Sequence, residues 1–224
     1  MRAGIALIIF DWDGTLIDSE ANIVACLRSM SDDLGLPARE YSELSNIIGL
    51  GMIESLQVLF PGKSLNDYEQ MIDRYRYHFF SSEPSQPFSG AEEVLTELGK
   101  RGYFLAVATG KGRRGLDKAL DSSGFRQHFH STRCADETHS KPHPLMLEEI
   151  LDVLGMEPHQ ALMVGDTEYD LQMAAHANMQ ALGVSYGVHD TERLLRCQPA
   201  AIINDISELL TWLDGGEIAI KRQE

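Results

Sequence analysis

An apolar run over 5–10 opens the chain and stops abruptly on Asp11-Trp12-Asp13-Gly14-Thr15. It has the length of a buried strand and is too short to span a membrane. Between about Glu20 and Phe80 strand character disappears. Ile23, Cys26, Leu27, Met30 and Leu34 recur at helical spacing, and Gly35-Leu36-Pro37 ends that helix. Further helices are predicted over 40–47, 52–59 and 65–80, and Ser81-Ser82-Glu83-Pro84-Ser85-Gln86-Pro87 reads as a linker. From Pro87 the pattern alternates. Ala91, Val94, Leu95 and Leu98 form a helix face that Gly102 breaks, and an apolar strand follows over 103–108. Then come a helix to about Ser123, a weak strand over 129–132, and a helix marked by Leu147, Ile150, Leu151 and Leu154. A strand over 161–164, a helix marked by Leu171, Ala174 and Ala175, and strands over 180–184 and 200–203 complete the series.

Alternating βα units imply a parallel sheet with helices on both faces. The expected fold class is therefore α/β, a doubly wound parallel sheet interrupted after its first strand by an α-helical insert. Residues 1–17 and 87–214 form the α/β core, 18–86 the helical unit, and 215–224 a flexible tail.

Composition narrows the partners. With 224 residues, 43% of them apolar and 24% charged, the chain suits a soluble core plus a smaller insert. A formal net charge of −15 argues against nucleic acid or an anionic membrane. An anionic substrate would need local positive charge, from a metal or from a few placed Lys and Arg. Cys26, Cys134 and Cys197 are odd in number and lack a CxxC pair, which reads as reduced thiols of a cytoplasmic protein. The N-terminus lacks the pattern of a signal peptide. Nothing chooses between monomer and homodimer.

Three strands end in polar residues that parallel pairing brings to one edge, where ligands bind in open α/β sheets. The first ends at Asp11, the second at Thr109-Gly110, the third at Gly165-Asp166 with Asp170 one helical turn on. A carboxylate can attack phosphorus, and a second can pass the proton to the leaving group. Asp11 with Asp166 offers hard oxygen ligands suited to Mg²⁺, and Asp170 could hold a ligand or a metal-bound water. Gly14 permits a tight turn and close approach to a ligand. Lys141 supplies positive charge, and Pro142 after it favours an extended segment there. Taken singly, each has a plainer account: Asp11, Asp13, Thr109, Asp166 and Asp170 as helix caps, Lys141 as a surface residue.

Taken together, Asp11-Trp12-Asp13-Gly14-Thr15, Thr109, Lys141-Pro142 and Gly165-Asp166…Asp170 resemble, in order, the four motifs of the haloacid dehalogenase (HAD)-like hydrolases. The phosphoglycolate phosphatase-like branch is the nearest likeness, and it covers nearly the whole chain. The resemblance implies a Rossmannoid core whose helical insert is a cap domain. It implies that Asp11 forms an aspartyl-phosphate, that Asp13 is general acid and then base, and that Thr109, Gly110 and Lys141 bind the phosphoryl group. Asp11, the backbone carbonyl of Asp13, and Asp166 would bind Mg²⁺, with Asp170 in support. It also implies that the loop Gly49-Leu50-Gly51 overlies the site and reads the substrate; as pattern alone the loop is equally a helix-to-helix turn. The second motif departs from the branch, with Gly110 where Asn often follows the Thr.

Asp13 separates phosphate ester hydrolysis from dehalogenase and phosphonate-cleaving relatives, which lack an acid there. Lys63 is the only lysine between Arg2 and Lys100, which argues against a Schiff base in the cap. The expected function is a Mg²⁺-dependent phosphatase acting on small phosphorylated metabolites such as phosphoglycolate or sugar phosphate monoesters. Pyrophosphate and nucleotides are the alternatives. From other classes, Gly110-Lys111-Gly112-Arg113-Arg114-Gly115 with Asp136 imitates a dinucleotide-binding turn, and Asp, Thr and Lys around Mg²⁺ also serve phospho-accepting modules. Neither needs Asp13 together with the large insert. Lys111, Arg113 and Arg114 read as a solvated basic helix start. Gly62-Lys63-Ser64 fails as a P-loop, and Pro142 and Pro144 keep His139 and His143 off one helix face.

Overall fold

A computed structural model describes residues 4–218. Strand β1 (Leu7–Phe10) is the apolar run that opens the chain, and it lies at the centre of a six-stranded parallel sheet. β2 (Ile17–Asp18) follows the turn over 11–16. A helical unit comes next: α1 (Glu20–Asp33), α2 (Tyr41–Asn46), α3 (Met52–Leu59) and α4 (Leu65–Ser81). The chain returns through β3 (Gln86–Pro87), α5 (Ala91–Lys100), β4 (Phe104–Thr109), α6 (Arg113–Ser123) and β5 (Ser131–Cys134). It finishes with α7 (Leu145–Leu154), β6 (Ala161–Gly165), α8 (Glu168–His176), β7 (Gln180–Val184), α9 (Thr191–Arg196), β8 (Ala201–Ile203) and α10 (Glu208–Leu213).

The sheet order is β5-β4-β1-β6-β7-β8, so the winding reverses at β1. Ile9 pairs with Ala106 on one side and Met163 on the other. Side chains of a strand alternate between faces, and β1 feeds two cores accordingly. Ile8 and Phe10 join the cluster with Val94, Leu98 and Leu116; Leu7 and Ile9 join that with Leu147, Ile150 and Leu171. A third cluster holds the helical unit, with Val24, Leu27 and Met30 of α1 facing Met71, Ile72 and Tyr75 of α4. α4 starts where Ser64 and Asp67 cap one another, Asp67 N donating to Ser64 Oγ at 3.2 Å and Ser64 N to Asp67 Oδ2 at 2.9 Å.

Two details depart from the pattern-based expectations. The stretch 81–87 is not all linker: β3 pairs antiparallel with β2, Ile17 opposite Pro87 and Asp18 opposite Gln86. The weak strand runs two residues later than expected. Phe129 instead packs edge-on to Trp12, their ring centroids 6.2 Å apart, while Cys134 pairs with Thr109 at the strand end. Of the expected tail, 219–224 lie outside the described residues. Residues 215–218 carry no helix or strand, and Ile218 packs against the first cluster.

Candidate active site

Where β1 ends, Asp11 N still donates to Val164 O at 2.9 Å, so the backbone is fixed by the sheet and the side chain enters the crevice at the winding reversal. Asp11 is fully buried. Its Oδ1 lies 2.6 Å from Lys141 Nζ, which lies 2.6 Å from Asp170 Oδ1. Asp170 serves two purposes. Its Oδ2 accepts from Thr167 N and Thr167 Oγ at the start of α8, the capping role, and its Oδ1 faces the lysine. Asp166 is held by Thr15 Oγ1 at 2.8 Å on one oxygen and by Val188 N at 2.9 Å on the other. A β-carbon on Gly14, whose φ is +79°, would collide with the Asp166 carboxylate, and one on Gly187 would do the same. Those two glycines let the backbone close around that acid.

Lys141 stands before α7 in a turn closed by His143 N donating to Ser140 O at 3.0 Å, with its bond to Pro142 cis. Burial opposes its charge, yet Asp11 and Asp170 raise its pKa above the ordinary lysine value. The acids show the opposite imbalance. Burial lifts Asp11 well above the usual carboxylate range against the pull of Lys141, and Asp170 and Asp166 add to the lift. Asp166 is pushed up to about 7, by burial first and Asp170 second. Oxygens of Asp11, Asp166 and Asp170 lie within 4.8 Å of one another, and buried Asp11 Oδ2 has no hydrogen-bond partner. Three carboxylates facing one ammonium, with an orphaned buried oxygen, make an all-oxygen donor set that fits a hard divalent cation.

Asp13 is held through a single oxygen: Oδ1 accepts from Ser19 Oγ at 2.6 Å and lies 2.9 Å from Lys111 Nζ. Thr109 is fully buried, its Oγ1 accepting from Lys111 N at 3.2 Å. Lys111 therefore belongs to the site and is not solvated as expected; only 10% of its side chain is exposed, and its Nζ sits 4.6 Å from the Phe79 ring centroid. Arg113 pairs with Glu137 across 2.7 Å, and Arg114 lies over the Phe80 ring. Asp136, the acid of the apparent dinucleotide turn, accepts from Arg113 N at 2.9 Å. It thus occupies the helix start where a pyrophosphate would bind.

The loop Gly49-Leu50-Gly51 reaches the strand ends from the helical unit. Gly51 N donates to Ser140 Oγ at 2.7 Å, beside Lys141, and Gly110 lies against the carbonyls of Gly49 and Leu50. Asn46 is pinned to the core as well, its carbonyl accepting from Tyr169 Oη at 3.2 Å. Between this loop, α1, α4 and the start of α6 lies a cavity of about 400 Å³ that reaches Asp13. Pattern reading missed Thr15, Ser19, Ser140 and Lys111. Thr15 ends the first motif and Ser19 lies four residues beyond it, close enough to have been candidates, whereas nothing local marks Ser140.

Among the described residues no helix is long and apolar enough to cross a membrane. Residues 8–184 match the family model of the haloacid dehalogenase-like hydrolases, and the chain belongs to that family. Within it, the chain is similar to a protein described as the probable phosphatase IndB of Dickeya dadantii, 33% identical over 213 residues and 91% of each chain. It is likewise similar to the phosphoglycolate phosphatase of Psychrobacter arcticus, 29% identical over 92% of this chain and 95% of the relative. Among solved structures, a haloacid dehalogenase-like family hydrolase from Streptococcus pneumoniae shares the fold. Its TM-score is 0.83 at 23% identity, across 95% of this chain and 100% of that one.

Proposed function

We propose that this hydrolase is a Mg²⁺-dependent phosphatase that cleaves small phosphate monoesters, of the phosphoglycolate or sugar phosphate kind, through a phosphorylated Asp11. The observation that carries the reading is the buried grouping of Asp11, Lys141, Asp166 and Asp170 at the ends of adjacent strands, beside Asp13. Phosphatase relatives support the reaction class.

In this reading Asp11 attacks phosphorus while the ester P–O bond breaks. Asp13 donates a proton to the departing alcohol oxygen, then takes one from the water that hydrolyses the aspartyl-phosphate. Ser19 and Lys111 both hold Asp13 Oδ1, which leaves its second oxygen for the proton. Thr109, Gly110 and Lys141 orient the phosphoryl group, and Lys141 balances its charge against Asp11. Asp11, the Asp13 carbonyl and Asp166, supported by Asp170, would hold Mg²⁺, which supplies charge neutralisation at the phosphoryl oxygens. Gly49 and Gly51 belong to the loop that closes over the substrate and excludes water. Free Cys26, Cys134 and Cys197 support a reducing, cytoplasmic setting.

The test is phosphate release from a panel of phosphorylated metabolites, with Mg²⁺ and with chelator, beside the Asp11→Asn variant. Release that needs Mg²⁺ and vanishes in Asp11→Asn is the expected result. Full activity in the variant would remove Asp11 as nucleophile, and no release from any compound would shift weight to a phospho-accepting role.

A further inference from the structure

The phosphatase reading leaves open the alcohol half of the substrate, and the cavity beyond Asp13 bears on it. Its volume is about 400 Å³. At a share of about 30 Å³ per liquid water, that is space for roughly a dozen waters. Its walls are largely hydrocarbon from the cap: Leu27, Ile48, Ile72, Tyr75 and Phe79. Tyr75 and Phe79 stack on one another, with ring centroids 6.0 Å apart and planes 14° from parallel, and add aromatic carbon to the aliphatic wall.

A two-carbon acidic alcohol such as glycolate would leave most of this space unfilled and would bring a carboxylate against hydrocarbon. It would also need a cation inside. Lys111 is already engaged by Asp13 at 2.9 Å and by the Phe79 ring face at 4.6 Å. The other basic residues lining the cavity, Arg76 and Arg114, are solvent-exposed. A bulky apolar group has the complementary properties: it fills the volume and displaces water from hydrocarbon.

We infer that the preferred substrate is a phosphate monoester whose alcohol carries a bulky apolar body, of at least the size of an aryl ring, seated in this cavity among Leu27, Ile48 and Ile72. This rests on the phosphatase reading and deepens it. The phosphoryl group reaches Asp11, the ester oxygen meets Asp13, and the apolar body occupies the cap cavity. Hydrolysis itself is unchanged: the P–O bond breaks, the alcohol leaves with a proton from Asp13, and water supplies the hydroxyl of the released phosphate.

The test is kcat/KM for ethyl phosphate, 2-phenylethyl phosphate and 2-(1-naphthyl)ethyl phosphate, with phosphoglycolate alongside. These three esters release similar alkoxides, so the series varies the apolar body while holding the chemistry nearly constant. A rise of tenfold or more from ethyl to 2-phenylethyl phosphate is expected, with phosphoglycolate no better than ethyl phosphate. A flat or falling series, or a preference for phosphoglycolate, overturns the inference and leaves the phosphatase standing. No Mg²⁺-dependent release from any of these esters or from p-nitrophenyl phosphate overturns both.

Discussion

Gly110, just beyond the end of β4, lies against the carbonyl oxygen of Leu50 so closely that a β-carbon at position 110 would stand well inside 3.0 Å of it. The Gly49 carbonyl is equally close. Backbone atoms cannot swing aside as a flexible side chain can, so a methyl group there must lift the cap loop. Gly110→Ala is expected to lower kcat/KM by tenfold or more. Neither the sheet nor the cap's own cluster loses a contact, so Tm should move by no more than about 4 °C. Steady-state kinetics beside a melting curve decide it; wild-type kinetics would show that turnover does not need the loop in this position.

Lys141 is the shared counter-charge of two buried acids. Replacing it by Met strands both, and breaking a buried pair from one side costs about 3–5 kcal/mol. Lys141→Met should therefore abolish turnover and weaken folding by an amount of that order in urea unfolding. Adding Asp170→Asn removes one stranded charge and should restore part of the stability but none of the activity. If the second change brings no recovery, charge is not what binds these residues.

Mg²⁺ should stabilise the fold through the same acids. Ligand at about 100 times its Kd adds about 2.7 kcal/mol to the bound state, a shift of several degrees in Tm. Most of that shift should disappear in Asp166→Asn, which removes one carboxylate of the donor set and keeps Asp11, Lys141 and Asp170. The comparison is a thermal melt of both proteins with Mg²⁺ and with chelator, and an equal shift in the two would rule out Asp166 as a ligand.

Burial pushes the Cys134 thiol up to about 12, more than Arg113 nearby pulls it down. An unfolded cysteine titrates near 8.5. Above that pH the unfolded chain loses a proton that the folded chain keeps, so the contribution of Cys134 is full below about 8.5 and declines as pH rises toward 12. The slope is about 1.4 kcal/mol per pH unit at most. Unfolding free energies between pH 8.5 and 10 should fall more steeply in the wild type than in Cys134→Ala. Parallel curves would refute the assignment.

The meeting of the strand ends is legible because each apolar run stops on a polar residue, and parallel pairing does the rest. Asp11, Thr109 and Asp166 could be placed on one edge from hydrophobic pattern alone. Lys111 could not. Beside Arg113 and Arg114 it looks like part of a solvated basic turn, and what buries it, Asp13 and Phe79, arrives from distant parts of the chain. Asp136 misled for a related reason: an acid near a glycine-rich helix start suits a ribose and a helix cap equally, and hydrogen bonding decides for the cap. β2 escaped notice because two residues are too few to show alternation. The cavity was illegible in principle, since the pattern predicts a helix over 65–80 without saying that space remains beside it.

The pairing of β2 with β3 makes the helical unit a plug-in element. Where the chain leaves the core and where it comes back are neighbours in a two-rung antiparallel ladder, so the core spans no gap that the insert must bridge. To the sheet, the helical unit is topologically equivalent to the loop of a hairpin, and loop-closure entropy grows only slowly with loop length. Helices could thus be exchanged for others of different length or lining through this one doorway, leaving the strand-end chemistry intact. The lining that meets a ligand can thus change without rebuilding the sheet beneath it.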